Sequence, residues 1–248
     1  MLINPQMVCP LECAFCIRVH TDTKDFGLVN FNPTETAAYL REKYGTDTWN
    51  RLKMIKIITG AFRDYPTLKD YTSSFLDEMR GITGGKFDPK NNSNQKVHLL
   101  TNLVQTRSEL EEVKNLGVGS LEHTIEIIDD ERRRQYMRRA NPHAKTPGKG
   151  EQTFDEMIEV AANAVEVFSS DNYGTTVVLG MDDEHTTLRG YKAMYDAGVR
   201  QSTGGLFVPN AYDEIRLQQT TFAQTMRLRR AAARLFTLPA IFAPYTED

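Results

Sequence analysis

The chain has 248 residues, of which 40% are hydrophobic and 25% are charged, and its formal net charge at pH 7 is −3. These values are ordinary for a globular protein with one large domain, and they give no basic surface for duplex nucleic acid. No apolar run reaches the ~20 residues of a membrane span, and residues 1–7 lack the composition of a signal peptide. We therefore expect no nucleic-acid partner and no membrane association.

Short apolar or β-branched runs alternate with longer helical patterns along the chain. Strands are predicted at residues 2–7, 54–59, 97–101, 121–127, 175–179 and 206–208. Helices are predicted near residues 34–44, 67–81, 107–116, 130–139, 153–169, 186–197 and 212–236. Ser108 and Glu111 fit a capping box at the start of the third helix, and Gly117 fits its end.

The alternation predicts right-handed βαβ units and a parallel sheet. Six such units form either a doubly wound sheet or an incomplete (β/α) barrel, and in both folds ligands bind at the carboxyl ends of the strands. The polar stretch at residues 84–95 is interpreted as a surface loop, because the alternation continues beyond it. We therefore expect a single domain over residues 1–248.

All three cysteines, Cys9, Cys13 and Cys16, lie in the segment CPLECAFC. An odd number argues against a disulfide framework and favours a reducing, cytoplasmic setting, where clustered cysteines more often bind metal. The spacing C-x3-C-x2-C allows three thiolates to hold one iron–sulfur cluster with one iron left open, whereas most electron carriers use four cysteines. His20 keeps a second interpretation open, a zinc site of three cysteines and one histidine.

The cysteine motif, with Phe15 directly before its last cysteine, resembles that of the radical S-adenosylmethionine (radical SAM) enzymes. The resemblance implies an α/β fold, a partial (β/α)6 TIM-like barrel, with a 4Fe–4S cluster on the three cysteines and S-adenosylmethionine on the open iron. It also implies the reaction. Reductive cleavage of S-adenosylmethionine gives a 5′-deoxyadenosyl radical, which abstracts hydrogen from a small-molecule substrate. An external electron donor such as flavodoxin or ferredoxin would reduce the cluster.

Three further segments resemble that family, and the last two of them resemble its biotin-synthase-like branch. IITGAFRDYP, residues 57–66, stands where the family has a glycine-rich turn for the methionine amino group, although the second glycine and the acidic residue are missing. HTIEIIDDERRR, residues 123–134, contains a strand glutamate that would reach the ribose or the amino group. VVLGMDD, residues 177–183, contains a glycine that would approach the adenine. The resemblance implies cofactor contacts from Phe15, Gly60, Ala61, Thr101, Glu126 and Gly180. Arg138 or Arg139 is a candidate partner for the carboxylate of the cofactor, because a guanidinium group pairs with a carboxylate as a fork.

Several alternatives accompany these assignments. Glu122 and Glu126 share strand parity, so we expect both to point to the same side. Residues 182–185, DDEH, suggest a metal site, but the acids are more typical of a helix N-terminus. Substrate is expected to enter beside Thr101, Glu122 and Asp182. Because no cysteine is left for a second cluster, biotin synthase itself is excluded. The alternative function is a non-catalytic zinc- or iron–sulfur-binding domain for partner binding or electron transfer.

Overall fold

The computed structural model describes residues 2–3, 11–16, 33–45, 47–58, 62, 64–91, 94–139, 149–207 and 220–236. The strands β1 to β8 in these residues are Leu2–Ile3, Leu11–Cys13, Met54–Ile58, Lys96–Leu100, Ser120–Glu126, Met137–Arg139, Tyr173–Leu179 and Gln201–Leu206. The helices α1 to α8 are Pro33–Tyr44, Thr48–Arg51, Tyr65–Thr83, Arg107–Leu116, Asp130–Tyr136, Phe154–Phe168, Glu184–Asp196 and Phe222–Leu235. No helix in this part of the chain is both long and apolar enough to cross a membrane.

The main sheet has six parallel strands in the order β1-β3-β4-β5-β7-β8. The strands of this sheet lie side by side in the same order in which they occur in the chain. A doubly wound sheet, in contrast, reverses its strand order at a switch point. The sheet curls into a half-barrel with helices outside it, which is a partial (β/α)6 TIM-like barrel. This confirms the predicted fold class.

The outer face of the sheet carries the hydrophobic core. Ile57, Leu99 and Leu121, on three successive strands, are fully buried in one cluster with Phe75 of α3 and Ala161 of α6. Because side chains alternate along a strand, the residues between them face the inside of the barrel. The same strands therefore present an apolar outer face and a separate inner face.

A second, two-stranded sheet was not predicted. Strands β2 and β6 pair antiparallel, with Leu11 opposite Arg139 and Cys13 opposite Met137. The predicted helix over residues 130–139 is therefore wrong at its end, because α5 stops at Tyr136 and the next three residues join β2. Such short strands leave no local hydrophobic period, since their pairing depends on a segment more than 100 residues away.

Three other details also differ from the prediction. The last strand is described over Gln201–Leu206 instead of residues 206–208, and residue 208 lies outside the described residues. The helix α8 begins at Phe222, after the N-cap Thr221, and residues 212–219 of the predicted helix lie outside the described residues. The capping box of α4 is formed by Thr106 and Glu109, two positions before the predicted pair Ser108 and Glu111. The predicted strand at residues 2–7 is described only at Leu2–Ile3, and residues 4–7 lie outside the described residues.

Candidate active site

The described part of the cysteine motif forms a tight turn at the end of β2. The backbone N–H of Cys16 donates a hydrogen bond to the carbonyl of Cys13 over 2.8 Å, and neither of these two thiols forms a disulfide. Cys13 is buried and Cys16 is half-buried. We call residues 13–16 the cysteine turn. Cys9 and His20 lie outside the described residues.

The cysteine turn packs against residues that follow three strands of the main sheet. Cys13 belongs to a buried cluster with Ile127, Met181 and Phe207, which come directly or shortly after β5, β7 and β8. Phe15 packs against the same cluster and is half-buried. The cysteine turn therefore lies at the carboxyl ends of the strands, where barrels of this type build their active sites.

Glu126 occupies a γ-turn at the end of β5. Its φ is +64°, and the N–H of Ile127 donates to the carbonyl of Ile125 over 2.8 Å around it. A non-glycine residue in this conformation stores on the order of 1–3 kcal/mol of strain, and such residues concentrate at functional sites. The register with β7 shifts between Thr124 and Glu126, which interrupts the regular alternation of side chains along β5. The prediction that Glu122 and Glu126 point to the same side was based on that alternation.

The Glu126 carboxylate has a cationic partner that the sequence did not indicate. Lys149 Nζ lies 2.9 Å from Glu126 Oε2 and 2.5 Å from Thr124 Oγ1. Both members of this ion pair are largely buried. A ligand that used the Glu126 carboxylate would have to share it with Lys149 or displace that ammonium group.

Asp182 and Gly180 shape the region after β7. The buried Asp182 carboxylate accepts hydrogen bonds from the N–H groups of Ile128, over 2.7 Å, and Asp129, over 3.2 Å. It therefore fixes the chain that leaves β5, a role that the sequence did not indicate. Gly180 has a φ of +99°, and a Cβ there would lie 2.5 Å from Thr220 Oγ1. Both the conformation and the close approach require glycine.

The remaining acids after β7 belong to a helix N-terminus. Asp183 is the N-cap of α7 and accepts from the N–H of Thr186, and Glu184 lies in the first turn, where it pairs with Arg227. For Asp183 and Glu184, this confirms the interpretation that the acids of residues 182–185 belong to a helix N-terminus. In the described ranges, no three His, Cys, Asp or Glu side chains are grouped as a metal site.

The predicted residue Thr101 follows β4 and is buried. Its hydroxyl accepts from the N–H of Leu103 over 3.2 Å. The next residue, Asn102, braces β5, because its side chain accepts from the N–H of Thr124 and donates to the carbonyl of the same residue. Arg138 lies in β6 opposite Glu12. Gly60 and Ala61 lie outside the described residues.

The inner face of the sheet carries a buried polar network centred on Glu122. Lys56 Nζ and His98 Nε2 lie 2.8 Å and 3.1 Å from Glu122 Oε2, and the Thr176 hydroxyl donates to Oε1. Burial by itself raises the pKa of Glu122, but the hydrogen bond from His98 and the charge of Lys56 lower it to about 2. Burial lowers the pKa of His98, so at neutral pH an ionised carboxylate faces one ammonium and a neutral imidazole.

Known proteins resemble this chain in sequence family and in fold. The sequence model of the radical SAM superfamily matches residues 3–189. No curated protein matches the sequence. Among solved structures, the FeFe-hydrogenase maturase HydG from Carboxydothermus hydrogenoformans superimposes with a TM-score of 0.64 at 16% identity, over 96% of this chain and 52% of that one.

Two further solved structures share the fold. SuiB from Streptococcus suis, bound to S-adenosylmethionine, has a TM-score of 0.62 at 14% identity, over 94% of this chain and 46% of that one. Methylornithine synthase (PylB) has a TM-score of 0.55 at 14% identity, over 93% of this chain and 62% of that one. The chain thus spans about half the length of the first two structures and less than two thirds of the third.

Proposed function

This chain belongs to the radical SAM superfamily of enzymes, and we propose that its active site lies where the cysteine turn meets the carboxyl ends of β5, β7 and β8. In this proposal Cys9, Cys13 and Cys16 hold a 4Fe–4S cluster, for which thiolates are the preferred ligands. The observation that supports it most is the packing of Cys13 with Ile127, Met181 and Phe207.

The apolar environment of the cysteine turn suits the chemistry that the family implies. When bound, the cluster and S-adenosylmethionine would supply radical chemistry, the abstraction of hydrogen from a substrate. The side chains of Phe15, Met181 and Phe207 would keep water away from this region, and excluding water prevents side reactions of reactive species. The chain itself contributes position and shielding.

The proposed contacts to S-adenosylmethionine follow from the positions of the strand ends. Glu126 offers a carboxylate for the ribose or the amino group, held by its γ-turn, and the backbone at Gly180 would approach the adenine from the end of β7. Phe15 lies on the cysteine turn, and Arg138 would pair with the carboxylate of the methionine. Further proposed contacts are Gly60, Ala61 and Thr101.

The substrate and the electron source remain part of the proposal. A small molecule would enter the half-barrel from its open side, beside Thr101 and Glu122, while Asp182 holds the end of β5 in place. Flavodoxin or ferredoxin would supply the electron, and we place the reaction in the cytoplasm.

Metal analysis tests the ligand set. After anaerobic reconstitution with iron and sulfide, we expect the full chain to hold iron and sulfide, and the Cys16→Ser variant to lose them. His20→Ala should keep its iron, with His185→Ala as a matched control outside the motif. A protein that holds zinc and releases it in His20→Ala would contradict the proposal and favour a structural zinc site.

A further inference from the structure

Five adjacent strands place polar side chains in one connected layer on the inner face of the half-barrel. The layer, which we call the inner polar layer, consists of Lys56, His98, Glu122, Thr176 and Thr203. The interior of a closed (β/α)8 barrel is filled mainly by bulky branched apolar side chains. A polar layer in this position has a burial cost, and a ligand that uses it would offset that cost.

The hydrogen bonds in this layer have a fixed direction. The ionised Glu122 carboxylate can only accept, so the single hydroxyl proton of Thr176 is donated to it. Thr176 Oγ1 and Thr203 Oγ1 are 3.0 Å apart. Because Thr176 has no second proton, the Thr203 hydroxyl must donate to Thr176. Thr203 Oγ1 therefore has lone pairs left as acceptors, and none of the described residues donates a hydrogen bond to it.

Gly205 leaves open space beside Thr203. It is two residues further along β8, on the same face, and a Cβ built there would meet no atom of the described residues within 4 Å. Its backbone is not in the left-handed region, so the conformation does not require glycine. Gly204, which points to the other face, differs because its Cβ would lie 3.0 Å from the Leu179 side chain.

Glycine within a strand is less stable than alanine, and it often marks a close approach of a ligand. Within the part of the chain that the structure describes, no packing contact explains Gly205, while packing against Leu179 explains Gly204. The open space also leads towards the cysteine turn, because Gly205 pairs with Val178, and Val178 packs against the cluster that contains Cys13.

We propose that Thr203 and Gly205 form a substrate subsite that binds a hydrogen-bond donor, a hydroxyl or primary ammonium group, of a small polar molecule. This inference rests on the proposed function, because it names the class of substrate that the proposed active site would bind. Lys56 compensates the negative charge of Glu122. The subsite therefore attracts hydrogen-bond donors through the oriented hydroxyls and not through a net charge. A carboxylate, which can only accept, would face the lone pairs of Thr203 and be rejected.

Ligand-observed NMR with four matched fragments tests the proposal. The probes are propane-1,3-diol and propylammonium, which donate, and 1,3-dimethoxypropane and propionate, which only accept, each at millimolar concentration with the full chain. We expect saturation-transfer signals from at least one donor fragment and none from the acceptors. Binding of both classes alike, or of no donor fragment, would overturn the proposal.

Three variants locate the fragment site. Thr203→Val removes the hydroxyl and should weaken donor binding about five- to tenfold, and Gly205→Val should block it by filling the open space. Ser202→Ala is the matched control, because the Ser202 hydroxyl bonds Thr175 on the opposite face. Unchanged donor binding in Thr203→Val would overturn the proposal, and thermal melting would identify a variant that fails to fold.

The same variants separate this proposal from the proposed function. Cluster content and S-adenosylmethionine binding should be unchanged in Thr203→Val and Gly205→Val. If these variants lose S-adenosylmethionine instead of the fragments, the subsite belongs to the cofactor and the substrate assignment is overturned. If the unmodified chain holds no cluster, the proposed function itself fails, whatever the fragments do.

Discussion

The two faces of the main sheet use neighbouring residues for different purposes. On the outer face, Ile57 and Leu99 are fully buried among helix side chains, and their stabilisation comes from removing apolar surface from water. On the inner face, Lys56, His98 and Glu122 are also buried, but they are polar. A buried ion pair adds little or nothing to stability compared with apolar residues of the same volume. The comparison indicates that the outer face maintains the fold, and it agrees with our proposal that the inner face binds a ligand.

Breaking the inner ion pair is expected to have the largest effect. Glu122→Ala should lower the free energy of unfolding by about 3–5 kcal/mol, because the Lys56 ammonium stays buried without the carboxylate that compensates it. Denaturant unfolding measures the loss. The double variant Lys56→Met with Glu122→Leu should recover most of it, which would show that the charges are not needed for folding. If Glu122→Ala lowers the free energy of unfolding by less than about 1 kcal/mol, the pair contributes no more than an exposed ion pair does. That result would contradict the difference between the two faces.

Removing an outer side chain should destabilise the fold without changing the site. Leu99→Ala is expected to cost about 3 kcal/mol, since it leaves a cavity between β4 and the helices. The folded fraction should still bind S-adenosylmethionine as the unmodified chain does, which isothermal titration calorimetry can check. Weaker binding at unchanged stability would mean that the outer face also contributes directly to the site.

A histidine on the outer face makes stability depend on pH. His123 is buried against Tyr173, and burial lowers its pKa from 6.5 to about 4. The folded state then binds this proton more weakly than the unfolded state. Its contribution is complete above pH 6.5 and is lost as pH falls towards 4, up to about 3 kcal/mol. His123→Gln, which stays neutral, should flatten the unfolding free energy between these pH values. An unchanged slope would assign the acid sensitivity to other groups.

A change at the proposed cofactor contact should have a smaller and local effect. Glu126→Gln is expected to weaken S-adenosylmethionine binding about tenfold, because it replaces a charged acceptor by a neutral one. Cluster content should not change. Glu131→Gln, an exposed glutamate of α5, is the matched control. Equal affinity in both variants would remove Glu126 from the site.

The outer face explains how much of the fold the sequence could predict. Strands β3, β4, β5 and β7 carry apolar residues at buried outer positions, and the predicted runs overlap all four. The strand β8 was placed too late, because its residues Gln201 to Gly205 are polar or glycine. A strand without apolar residues on either face lacks the apolar pattern by which strands are recognised.

The candidate site was predicted only where a local motif existed. The spacing of Cys9, Cys13 and Cys16 is visible within eight residues, whereas Lys149 meets Glu126 only through the fold. Lys56 and His98 did have a signal, a single polar residue in the middle of the runs MIKII and KVHLL. A polar residue at the centre of an apolar strand is costly to bury unless it has a partner, and that cost could have identified both.

Electron paramagnetic resonance of the anaerobically reconstituted and reduced protein, with and without S-adenosylmethionine, tests the central claim most directly. We predict a reduced 4Fe–4S signal that changes when S-adenosylmethionine is added, because the cofactor would bind the iron that has no cysteine ligand. A colourless protein with bound zinc, or an iron–sulfur signal that S-adenosylmethionine leaves unchanged, would contradict the claim that the cysteine turn and the strand ends form one active site.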